Sequence, residues 1–265
     1  MDELRTFPRQ GFMCTNDPVD GMKYREEPLR VRNDAPVIVF YHPNKEATDY
    51  VGTFIRHIEN MTVRTGTLEE IVAAHKNGIA FYATAGNSFG LMDGGIDAAF
   101  SKQWPCIEKL VRESIAEEYG PEMPIGTALI IRSQLGCPNV VYAPTMQIPQ
   151  DIRGTDNVYQ AARAIMYALK KRYTEFVREA WNNPEMNGMN IVLYMPLLGT
   201  GAGRMTLDLA MHQMVRGIRD GYKTWTADDL NWMHAFDMHT RWHEMTGIQE
   251  TEPPQQMEYQ EDEHE

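Results

Sequence analysis

The chain has 265 residues, 43% of them hydrophobic and 10% aromatic, enough to bury a core and to exclude a disordered chain. Its formal net charge is −12, which argues against a nucleic-acid surface, because such a surface is basic overall or along one stripe. No apolar run reaches the roughly 18 residues of a membrane helix, and the charged start at Asp2, Glu3 and Arg5 has no apolar segment behind it, so no secretory signal is expected.

The acidity is unevenly spread. Residues 250–265 carry seven acids and no Lys or Arg, more than half of the imbalance. The three cysteines, Cys14, Cys106 and Cys137, are widely spaced and odd in number. They are read as reduced thiols in a cytoplasm rather than a disulfide framework, with Cys106 packing as a small apolar residue.

In chain order, residues 1–35 are charged, broken by Pro8, Pro18 and Pro28, and read as an irregular arm. Val37 to Tyr41 is a β-branched and aromatic run, a buried strand. Tyr50, Val51, Phe54, Ile55 and Ile58 recur at helical spacing over 46–58, and Met61 to Arg64 reads as a short strand. Thr67 with Glu70 resembles a capping box opening a helix through His75. Ile79 to Thr84 is a strand, followed by helices over 97–103 and 105–119. Short strands follow at 127–131 and 140–143, around a polar turn with Gly136 and Pro138, and then a loop from Pro144 to Gly154. Thr155 is placed to cap a long helix reaching Val177, stopped by Asn182-Asn183-Pro184. Asn190 to Met195 is another buried strand, and Thr206 caps a helix carrying Leu207, Ala210, Met211, Met214 and Ile218. Alternating strands and helices argue a layered α/β domain. From Thr226 to Met245 a Trp-, His- and Met-rich helix is expected, suited to docking on the domain or on a protein partner. The Glu-, Gln- and Pro-rich tail, 250–265, reads as disordered.

Two glycine loops carry the chemistry. The first, Ala83 to Phe100, holds Gly86, Gly90, Gly94 and Gly95 between a strand and a helix start, with Asn87, Asp93 and Asp97 interleaved. The second runs from Leu198 through Gly199, Gly201 and Gly203 to Arg204. Such loops turn backbone N–H groups toward an anion, and the helix start adds its unpaired N–H groups and partial positive charge. In open α/β sheets ligands collect beyond the carboxyl ends of the strands, so both loops can hold one ligand.

The run Thr-Ala-Gly-Asn-Ser-Phe-Gly-Leu-Met-Asp-Gly-Gly-Ile-Asp (84–97) resembles the ligand loop of macro domains, the ADP-ribose-binding or Appr-1-p processing modules. Ala143-Pro144-Thr145-Met146 with Pro149, and Leu197 to Met205, resemble a bacterial and phage branch of that family. The likeness spans roughly residues 36–220 as three motifs in order. It implies a three-layer α/β/α fold, a mixed and largely parallel sheet between helices, with ADP-ribose or a related NAD-derived nucleotide across its top. The domain is placed at 36–221, with a helical extension at 222–249.

By the same resemblance Gly94, Gly95 and Ile96 line the distal ribose and nearby phosphate. Gly199, Thr200, Gly201, Ala202 and Gly203 wrap the diphosphate. Asn87 contacts the distal ribose, Thr145 joins the ligand contacts, and Asp97 positions or activates water. This sequence departs from the family pattern in three places. Asp93 replaces a glycine of the usual run, Thr67 stands where an aspartate reads the adenine amino group, and Arg204 stands where an aromatic often closes the pocket. Arg204 is then available to grip a phosphate or stack on a base.

The residues also have plainer readings. Asn87 can simply stabilise a turn, and an acid such as Asp97 stabilises any helix start. Asp93 beside Asp97 can raise the pKa of one of them, which suits acid–base work and makes Asn87, Asp93 and Asp97 the candidate catalytic set. His239 and His243 share a helical face without a metalloprotease motif, so no metal is expected, and no cofactor is implied. Three functions remain open: hydrolysis of ADP-ribosyl esters or glycosides, a non-catalytic reader or sink for the nucleotide, and an interaction protein with an unused pocket. An ADP-ribosylated protein is a further possible partner, a membrane is not, and the location expected is cytoplasmic, the host cytoplasm if phage-encoded.

Overall fold

In the computed structural model, the described residues are 36–76, 78–132, 137–181 and 190–246. The arm at 1–35, the stop at Asn182-Asn183-Pro184, Gly136 and the tail at 250–265 lie outside them. The core is a six-stranded sheet of β1 (Val37–His42), β2 (Met61–Thr65), β3 (Ile79–Asn87), β4 (Leu129–Ile131), β5 (Asn139–Met146) and β6 (Ile191–Pro196). Their order across the sheet is β2-β1-β6-β3-β5-β4. All neighbours pair in parallel except β4 with β5. The sheet is therefore mixed and largely parallel, flanked by helices on both faces.

Both faces of the central strands are buried, which explains their near-continuous apolar runs. Successive residues alternate between the faces. Ile38, Phe40, Phe81, Ala83 and Leu193 face α1 (Lys45–Ile55), α5 (Asn157–Trp181) and α6 (Leu207–Tyr222). Val39, Tyr41, Tyr82, Tyr142 and Tyr194 face α2 (Leu68–Ala74), α3 (Gly95–Gln103) and α4 (Ile107–Glu118). Between α5 and α6 the buried Gln213 satisfies both its ends: it accepts from the Tyr159 N–H at 3.1 Å and donates to the Thr155 carbonyl at 2.7 Å. A buried amide paired this way fixes the register of two helices without an unpaired polar group.

Several boundaries differ from the sequence reading. The capping box at Thr67 and Glu70 forms, and Thr206 caps α6. β5, however, runs through Pro144, Thr145 and Met146, where a loop is expected. Pro144 pairs opposite Gly86, next to a register shift at Gly86/Asn87, where the ladder is already irregular. The long helix opens at Asn157, with the Thr155 hydroxyl accepting from the Asn157 N–H at 3.4 Å. The C-terminal helix is split into a short 3-10 turn, Ala227–Asp229, and α7, Trp232–Thr246. Trp232, Met233 and Phe236 at the start of α7 are exposed.

The cysteine reading is overturned: Cys106 and Cys137 form a disulfide across 31 residues of sequence. Cys106 sits just before α4 and Cys137 just before β5, and the packing of α4 on that side of the sheet brings them together.

Candidate functional site

β1, β6, β3 and β5 end at one edge of the sheet, and a cavity of about 560 Å³ opens there between α2, α3 and the two glycine loops. Its lining contains every residue that the sequence assigned to ligand or catalysis except Arg204. Arg204 is exposed in the left-handed region at φ 56°, its N–H donating to the Gly201 carbonyl at 3.0 Å, so its side chain is not part of the wall.

The first loop is held by its own side chains. The Tyr142 hydroxyl donates to the Asn87 carbonyl at 2.6 Å and fills the space above Gly86, where no Cβ fits. Asn87 Oδ1 accepts from the N–H groups of Phe89 and Leu91 at 3.0 and 3.3 Å, and its Nδ2 donates to the Leu91 carbonyl at 2.7 Å. The turn-stabilising reading of Asn87 is thus realised, and one amide hydrogen is left for the cavity. Gly94 is the N-cap of α3 and makes no side-chain cap bond. A Cβ at Gly94 or Gly95 would meet nothing within 4 Å, so both backbones face open space. The helix start therefore presents its N–H groups to the cavity, as anion binding requires.

Asp97 lies in the first turn of α3, 4% exposed. The Thr84 hydroxyl, on β3, donates to Asp97 Oδ1. Burial pushes the Asp97 carboxyl up to about 7; the Thr84 bond opposes the shift and the nearby Asp93 adds to it. The like charge of Asp93 is therefore a minor cause beside burial. Thr84 is a residue the sequence reading missed. It lies two positions after Tyr82, so strand alternation puts it on the α3 face, but only register shows which helix residue it meets.

The second loop follows β6. Gly199 is left-handed at φ 74°, and the Met205 N–H donates back to its carbonyl at 3.0 Å. The Ile152 N–H donates to the Gly203 carbonyl at 3.1 Å, and the Thr200 hydroxyl to the Leu197 carbonyl at 2.9 Å. These bonds occupy the carbonyls of Leu197, Gly199 and Gly203 and hold the loop in place. The N–H groups of Thr200, Gly201, Ala202 and Gly203 take no backbone partner among the described residues. Gly201 has open space where a Cβ would stand.

At the other end the wall is formed by Tyr41, His42 and the start of α2. Thr67 lies here, but its hydroxyl accepts from the Glu70 N–H at 3.3 Å and also serves the Glu69 carboxylate, which is held below its ordinary value by its own N–H first and by Thr67 second. Thr67 is spent on the helix start, which weakens its role as a base reader. Tyr41 was not singled out in the sequence, although it lies one residue from the end of β1 at the ligand edge, where such residues belong. The lining includes Glu69, Asp93 and Asp97 and no Lys or Arg. Among the described residues no group of three or more His, Cys, Asp or Glu is arranged to hold a metal.

Residues 83–214 match the macro domain family. The fold is similar to the macrodomain of Mycobacterium tuberculosis DarG, at 16% identity and TM-score 0.38 over 55% of this chain and 84% of that one. It is also similar to a variant of the Oceanobacillus iheyensis macrodomain with ADPR, at 14% identity and TM-score 0.41 over 63% and 88%. A third similar structure is Thermosipho africanus DarTG in complex with ADP-ribose, at 13% identity and TM-score 0.38 over 74% and 57%. No curated protein matches the chain.

Proposed function

The chain belongs to the macro domain family, and on that premise we propose that the cavity binds ADP-ribose or a closely related NAD-derived nucleotide. One observation carries the reading. The cavity is bounded by two fixed glycine loops and a helix start that offer backbone N–H groups, not cationic side chains, to an anion. A diphosphate is the chemistry that such a cradle suits. The family match over residues 83–214, together with the loop motifs that resemble ADP-ribose-binding modules, supports the choice of nucleotide.

Calorimetric titration of ADP-ribose tests the reading. Binding in the micromolar range, about −8 kcal/mol, is expected. Gly201→Glu should abolish it, since Gly201 lines the cavity, a Cβ there has open space within 4 Å, and the substitution adds a negative charge beside the phosphate cradle. Absence of heat and of thermal shift with the unaltered protein would refute it.

Hydrolysis is a second step within the same reading, favoured by the buried Asp97 with its pKa near neutrality. In this scheme the amides hold the diphosphate, the Asn87-fixed loop bounds the distal ribose, and Asp97 directs a water at the anomeric carbon or at an ester on the ribose. Candidate reactions are release of ADP-ribose from protein, deacetylation of O-acetyl-ADP-ribose and dephosphorylation of ADP-ribose 1″-phosphate. Turnover of any of these that Asp97→Asn removes, with ADP-ribose binding retained, supports hydrolysis. Binding without turnover of all three leaves a reader or sink.

A further inference from the structure

Among the described residues, two buried side-chain polar atoms have no hydrogen-bond partner: the hydroxyls of Tyr41 and Thr145. Both residues line the same cavity. Tyr41 is 2% exposed and Thr145 1%, so solvent on the outer surface does not satisfy them. The other buried side-chain polar atoms among the described residues are paired, as Gln213 and Thr84 illustrate. Unpaired buried hydroxyls are costly, and they persist where something other than the fold uses them.

Their placement fixes what that something looks like. Tyr41 is the penultimate residue of β1 and Thr145 of β5, and β6 and β3 lie between these strands. Neighbouring strands are about 4.8 Å apart, so the two positions are separated by about 14 Å across the sheet. Tyr41 projects on the α2 and α3 face, in the electrostatic reach of Asp97 and Glu69. The backbone around Thr145 is fixed, because Asn157 Nδ2 donates to the Thr145 carbonyl at 2.9 Å.

We propose that the Tyr41 and Thr145 hydroxyls are specificity contacts at opposite ends of the cavity, reading an extended ligand with a hydrogen-bonding sugar or base at each end of a diphosphate. The inference rests on the nucleotide reading above and deepens it. A mononucleotide reaches one hydroxyl; a nucleoside diphosphate joined to a second sugar reaches both. Selectivity for the longer ligand then comes from two neutral contacts rather than from charge.

The test uses Tyr41→Phe and Thr145→Val, which keep shape and remove only the hydroxyl. Because neither hydroxyl pairs with another group of the protein, neither substitution should lower its Tm. Each should weaken ADP-ribose binding about five- to tenfold, the worth of one hydrogen bond, and the two losses should multiply in the double variant because the sites are far apart. AMP should respond to one substitution and not the other. A lowered Tm in both variants with unchanged ADP-ribose affinity would show that the hydroxyls serve the fold and would overturn the proposal. AMP binding weakened by both substitutions would overturn the two-ended geometry. If ADP-ribose binds the unaltered protein and neither variant changes its affinity, the nucleotide reading stands and this inference falls. If ADP-ribose does not bind the unaltered protein, both fall at the first step.

Discussion

Asp97→Asn should stabilise the protein, and by an amount set by pH. An asparagine oxygen can still accept the Thr84 hydroxyl, so the packing of α3 on β3 is retained. What changes is the cost of ionising a carboxyl that is 4% exposed. Its pKa is raised from 3.8 to about 7 in the folded protein. A shift of roughly three units corresponds to on the order of 4 kcal/mol at 1.36 kcal/mol per unit. Below about pH 4 the group is neutral in both folded and unfolded chains, and no penalty exists. Between about pH 4 and about pH 7 the unfolded chain releases the proton while the folded protein keeps it, so stability falls as pH rises. Above about pH 7 both forms are ionised and the penalty stays constant. The asparagine variant has no such titration. The difference between variant and wild type should therefore grow from near zero at pH 4 to a few kcal/mol at pH 8, or roughly 2–4 °C of Tm per kcal/mol. Denaturant titrations of both proteins across that range measure it, with the other titrating groups cancelling in the difference. A difference that does not vary with pH, or a variant less stable at pH 8, refutes the reasoning.

Three other outcomes are expected. Gly86→Ala drives a methyl into the Tyr142 phenol that bonds the Asn87 carbonyl, and should cost about 3 kcal/mol or prevent folding; an unchanged Tm refutes it. Thr67→Ala removes the capping box of α2 and should cost about 1 kcal/mol in denaturant unfolding, with ADP-ribose affinity unchanged because the hydroxyl is already spent on the helix. Reducing the Cys106–Cys137 bridge opens a 31-residue loop and should lower stability by on the order of 3–4 kcal/mol on the loop-entropy account. A reductant-dependent Tm checks this, and three reactive thiols in the unreduced, unfolded protein would exclude the bridge.

The strands were legible because β1, β3 and β6 are buried on both faces and so read as unbroken apolar runs. The helix starts at Thr67 and Thr206 were legible because their caps are local, complete within three residues. What depended on distant parts of the chain was not. Pro144 looks like a strand end, yet β5 continues past it because Gly86 opposite leaves the ladder irregular. Cys106 and Cys137 look unrelated until α4 packs beside β5. The glycine loops gave the cavity its place, but sequence could not tell that Arg204 is a left-handed, exposed residue outside the cavity lining, or that Asn87 is largely spent on its own loop. Thr84 and Tyr41 required strand parity and sheet register together, and register comes only from pairing.

The acid-lined cavity has a kinetic consequence. Most proteins that take up phosphorylated ligands draw them in by long-range attraction, and salt slows the encounter. Here the chain carries a net charge of −12 and the cavity wall offers carboxylates without Lys or Arg. An anionic nucleotide is repelled until it is close enough for the loop amides to take hold of its phosphates. Added salt, with a screening length of about 8 Å at physiological ionic strength, shortens the range of that repulsion. Association should then quicken with ionic strength rather than slow. Residence of the ligand, governed by short-range amide contacts, should change much less. Such a site is suited to a ligand that accumulates in its surroundings more than to one that must be captured at trace levels.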